Sequence, residues 1–72
     1  MNSSGIKIMV IDDDSGIVDS IKSLLGDKYY VEGATSSREG LKQLKTKKFD
    51  ILILDYYIDE LTAKEVIEEI RK

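Results

Sequence analysis

Two sets of carboxylates stand where apolar runs of the sequence stop: Asp12, Asp13 and Asp14 follow the run 6–11, and Asp55 closes the run 49–55. If those runs are neighbouring strands, Asp12, Asp13 and Asp55 converge, and carboxylates held that close repel one another strongly. They stay ionised together only beside a compensating cation. A cluster of oxygens with an open, water-filled side suits Mg²⁺ or Mn²⁺, hard ions that take few protein carboxylates and keep several waters. A cation held there also draws in a phosphoryl group.

The rest of the composition narrows this chemistry. The chain has no His and no Cys, which removes disulfides, thiolate and imidazole ligands, phosphohistidine carriage and His-dependent hydrolysis. Phosphate can be handled only by carboxylates, hydroxyls and lysines. The net charge is -3, and the lysines are dispersed among glutamates rather than gathered into a stripe, so this segment is not expected to contact nucleic acid. Apolar runs such as 8–11 and 51–54 are far too short to cross a bilayer. A soluble, cytoplasmic protein is expected, with no membrane partner. Seventy-two residues make at most one domain, and a domain that short buries only roughly 60% of its unfolded surface, which leaves a thin margin of stability.

The elements that must position the aspartates can be read from periodicity. Residues 1–5 are a polar lead-in expected to be flexible. The run 6–11 is β-branched and apolar, as a buried strand is. From Ser15 the period changes: Ile17, Ile21, Leu24 and Leu25 share a helical face, and Gly26 is placed as a stop. Residues 29–34 supply a second strand. Ser36 followed by Glu39 is a capping box opening a helix that carries Leu41 and Leu44 and ends near Lys45 to Lys47. The run 49–55 is apolar without alternation, which predicts a strand covered on both faces. Thr62 and Glu65 form a second capping box before Val66, Ile67 and Ile70. The order is β-α-β-α-β-α. Such alternation implies parallel strands joined by right-handed crossovers, with all strand C-termini along one edge of the sheet, where ligands of open α/β sheets bind.

Each feature also has a plainer account. A run of aspartates is more often a solvated turn or helix cap than a metal site, and Asp14 or Ser15 is expected to cap the first helix. Asp55 alone could be a helix-approach residue, Tyr56 and Tyr57 partly buried loop aromatics, and Lys45, Lys47 and Lys48 a solvated helix end. The joint placement of both acidic clusters on one sheet edge outweighs these separate accounts. An EF-hand is excluded because the glycine falls one position early and no bidentate Glu closes the loop.

The segments 7–14 and 49–55, with their terminal aspartates, resemble the first and third strands of response-regulator receiver domains in bacterial two-component signalling, and the resemblance runs from about Ile6 to Lys72. It implies a three-layer α/β fold with a parallel sheet, a truncated flavodoxin-like arrangement of strand order 2-1-3 in a partial receiver domain spanning 6–72. By matching position, Asp13 would ligate Mg²⁺ directly and Asp12 through water. Asp55 would be both a ligand and the acceptor of a phosphoryl group from a sensor histidine kinase, and the backbone carbonyl of Tyr57 would complete the protein's ligands. Asp59 and Ala63 stand where the family commonly has Pro and Gly. The family's switch hydroxyl and phosphate-binding Lys follow later strands, so the resemblance implies impaired transfer in a chain that stops at Lys72, and Lys7 and Lys64 do not match that lysine's position. A dimer is expected, in which the two third strands meet or elements swap between chains, because that strand is central in the family's sheet. A catalytically silent assembly scaffold is the alternative. A haloacid-dehalogenase-like phosphatase, suggested by the spacing of Asp12 and Asp14, is a distant third, since Gly16 stands where that motif usually has Thr or Val.

Overall fold

The computed structural model describes residues 5–55 and 62–72. Strand β1 (Lys7–Ile11) is followed by helix α1 (Ser15–Leu25), strand β2 (Tyr30–Ala34), helix α2 (Ser37–Thr46), strand β3 (Ile51–Leu54) and helix α3 (Ala63–Ile70). Helix α1 starts where Asp14 accepts hydrogen bonds from the backbone N–H groups of Gly16 and Ile17, filling two of the donors that a helix start leaves open. Its end falls at the expected stop, Gly26. Gly26 has φ -66° and donates its N–H to the Lys22 carbonyl in an ordinary right-handed turn. In α2 the Ser36 hydroxyl accepts from Glu39 N–H, but the Glu39 side chain turns along the helix to Gln43 instead of back to the cap. Thr62 and Glu65 form the complete reciprocal box at α3, with the Thr62 N–H donating to the Glu65 carboxylate at 3.0 Å.

The three strands are parallel in the order β2-β1-β3. Because successive side chains of a strand point to opposite faces, β1 feeds two separate cores. Ile8 and Val10 pack with Val18 of α1 on one face, while Met9 and Ile11 pack with Ala34 and with Val66 of α3 on the other, flanked by Leu41 and Leu44 of α2. The result is three layers, with α1 on one side of the sheet and α2 and α3 on the other. The expectation that both faces of β3 are covered needs correction. Leu52 and Leu54 pack into the α2 and α3 side, but Ile51 and Ile53 are 45% and 37% exposed. They share a face with Ile8 and Val10 by register. Helix α1 packs mainly over β2 and β1.

Candidate metal and phosphoacceptor site

Parallel pairing brings the C-terminal ends of β1 and β3 side by side, and the hydrogen-bonding ladder continues one residue past each strand. The Asp12 N–H donates to the Ala34 carbonyl at 3.1 Å, and the Asp55 N–H donates to the Ile11 carbonyl at 3.1 Å. Both aspartates are thus hung on the last rung of the sheet. Their neighbour Asp13 joins them: one carboxylate oxygen from each of Asp12, Asp13 and Asp55 can be chosen so that all three lie within 4.8 Å of one another. Asp12 is half-buried, while Asp13 and Asp55 are exposed, so the group is anchored on the sheet and open to water.

The three consecutive aspartates have separate tasks. Asp14 is committed to the start of α1, with Oδ1 2.8 Å from the Gly16 nitrogen and 3.3 Å from that of Ile17. Asp12 folds the loop over itself by accepting the Asp14 N–H at 3.0 Å. Asp13, between them, is exposed and can bring a carboxylate oxygen within 4.8 Å of one from Asp55. Among the described residues the donor set consists of carboxylate oxygens, which fits a hard divalent cation better than a soft one.

Tyr57, named above as a backbone ligand, lies outside the described residues, as do Tyr56 and Asp59. Lys7 opens β1, at the opposite end of the strand from the aspartates, and its ammonium sits 5.7 Å from the centre of the Tyr30 ring. Sequence reasoning missed the carbonyls of Ile11 and Ala34 as the anchors of the site. The strand register encodes them, but no residue type signals them.

The profile of the response regulator receiver domain matches residues 8–72. The chain belongs to the response regulator receiver family. Among relatives of this receiver, the alkaline phosphatase synthesis transcriptional regulatory protein PhoP of Bacillus subtilis is 34% identical over 67 residues, covering 92% of this chain and 28% of that protein. Among solved structures, the chemotaxis response regulator CheY4 of Vibrio cholerae superimposes with a TM-score of 0.89 at 29% identity, over 94% of this chain and 57% of that one. A receiver domain protein from Clostridium thermocellum gives a TM-score of 0.85 at 38% identity, over 92% and 55% of the two chains. The receiver described here therefore spans little more than half of its solved neighbours and under a third of PhoP. Family membership favours the phosphoacceptor reading over the phosphatase and silent-scaffold alternatives. Among the described residues, no helix is long and apolar enough to cross a membrane.

Proposed function

We propose that Asp55 is the phosphoacceptor of this receiver, and that Asp12 and Asp13 hold a Mg²⁺ or Mn²⁺ ion beside it. The observation that carries this reading is the convergence of the three carboxylates within 4.8 Å at the C-terminal edge of the sheet. The donor is the phosphoimidazole of a sensor histidine kinase. A carboxylate oxygen of Asp55 attacks the phosphorus in line, the phosphorus–nitrogen bond breaks, and the imidazole leaves with the bonding pair and takes up a proton from water. An acyl phosphate on Asp55 results. When bound, the divalent ion neutralises the charge that otherwise keeps two anions apart. The chain's own contribution is position. The Ile11 carbonyl fixes Asp55 at the strand end, and Asp13 can bring a carboxylate oxygen within 4.8 Å of one from Asp55. The receiver accepts one phosphoryl group per signalling cycle and is not a turnover enzyme, and a cytoplasmic location goes with that role.

The test uses a small phosphoryl donor. Acetyl phosphate with Mg²⁺ should add one phosphoryl mass to the chain, in an adduct that is labile to hydroxylamine and missing in Asp55→Asn. Slow modification fits this reading. Equal modification of Asp55→Asn contradicts it.

We also infer that the receiver self-associates through β3. The exposed Ile51 and Ile53 lie on an uncharged four-residue strand at the sheet edge of the described residues, so two copies can meet there without like-charge repulsion. Sedimentation equilibrium at micromolar concentration should show a dimer that Ile53→Lys dissociates. A folded monomer at high concentration refutes this pairing.

A further inference from the structure

Helix α2 carries a glycine inside its first half, at a position where glycine is among the poorest helix formers. The reason lies in the packing. Gly40 is buried and seated directly on Ile11, so that a Cβ built on it would lie 2.3 Å from Ile11 Cδ1, 2.7 Å from Cγ1 and 3.4 Å from Cγ2. Both branches of the isoleucine are within reach, and a β-branched side chain has little freedom at χ1. Ile11 is itself fully enclosed, at 0% exposure, in the core formed with Met9, Ala34 and Val66. An added methyl group could not be absorbed by rotating a side-chain tip. Either the helix or the end of β1 has to move.

Ile11 is the residue to which both arms of the acidic site are tied. Asp12 is the next residue, and the Asp55 N–H is hydrogen-bonded to the Ile11 carbonyl. We propose that the Gly40–Ile11 contact is a positioning device: the missing side chain of Gly40 lets α2 clamp Ile11 so that Asp12, Asp13 and Asp55 are held at cation-binding separation. Gly40 touches no ligand and acts only through Ile11. The proposal rests on the reading of the three aspartates as a Mg²⁺ site, so its test separates the two.

Amide NMR spectra of the metal-free receiver give the first readout. Gly40→Ala should shift the Asp12 and Asp55 amides, and it should speed hydrogen exchange at Asp55 as the bond to the Ile11 carbonyl loosens. The double variant Gly40→Ala/Ile11→Val removes the nearest atom, Cδ1, but keeps Cγ1, which lies 2.7 Å from the added Cβ, so it should return both only part of the way toward wild type. The second readout is Mg²⁺ affinity of the folded chain. It should fall about threefold or more in Gly40→Ala, as expected for a residue supporting metal ligands, and recover in part in the double variant. If Gly40→Ala does not fold, Ile11→Val alone carries the comparison. The void it leaves should speed Asp55 exchange, and the double variant should slow it again. Unchanged Asp12 and Asp55 amides and exchange across the variants overturn the clamp, whether or not Mg²⁺ binds. Asp12 and Asp55 amides that shift in Gly40→Ala while the wild-type amides do not respond to Mg²⁺ leave the clamp standing and overturn the metal reading instead.

Discussion

Asp13 and Asp14 are chemically identical neighbours, yet the structure gives them tasks that substitution can separate. Replacing Asp14 with Ala removes an oxygen that accepts two helix N–H groups, at 2.8 and 3.3 Å. The first contact is a good hydrogen bond and the second a long one, so the loss should sit in the middle of the range for helix caps, about 1 kcal/mol. A chain of this length has a total stability of roughly 4 to 11 kcal/mol. The change is therefore a sizeable fraction of the margin and should lower Tm by about 4 to 8 °C. Asp14→Ser keeps an acceptor and should recover most of it. Mg²⁺ affinity should stay within about twofold in Asp14→Ala, because the lost charge acts only at a distance through water. Asp13→Asn should do the reverse, abolishing site-localised Mg²⁺ binding at little cost in stability. Thermal unfolding followed by circular dichroism, paired with Mg²⁺ titration of each variant, gives both numbers. The reasoning is refuted if Asp14→Ala weakens Mg²⁺ as much as Asp13→Asn does, or if it leaves Tm untouched.

Two further outcomes follow from packing and surface charge. Val66, at 0% exposure, fastens α3 to Met9 and Ile11, so Val66→Ala should cost about 2 kcal/mol in urea unfolding through two lost methyl contacts and the space they leave. The Lys47–Glu32 ion pair is 3.0 Å long, but its side chains are 51% and 20% exposed, so Glu32→Gln should cost less than about 1 kcal/mol, and less again at high salt.

The sequence was most informative where one physical signal sufficed. Apolar runs bounded by aspartates marked β1 and β3, the helical spacing from Ile17 to Leu25 marked α1, and Thr62 with Glu65 marked the start of α3. Parallel topology then required the acidic groups to share an edge, whatever the loops did. Less legible were features that depend on what lies alongside. The unbroken apolar character of Ile51 to Leu54 suggested cover on both faces, but cover depends on how far α1 extends sideways, and the sequence of β3 carries no record of that. The division of labour among Asp12, Asp13 and Asp14 needed the turn closed by the Asp12 carboxylate. The close seat of Gly40 on Ile11 joins residues from different elements, so no local pattern announces it.

The central claim is that three aspartates from two strand ends act as one cation site. Amide NMR during titration with Mg²⁺ tests it directly. Shifts should concentrate at Asp12, Asp13 and Asp55, saturate together with a single apparent affinity, and disappear in Asp13→Asn. Small shifts spread evenly over the acidic surface, or a response at Asp12 and Asp13 that leaves Asp55 unmoved, would contradict it.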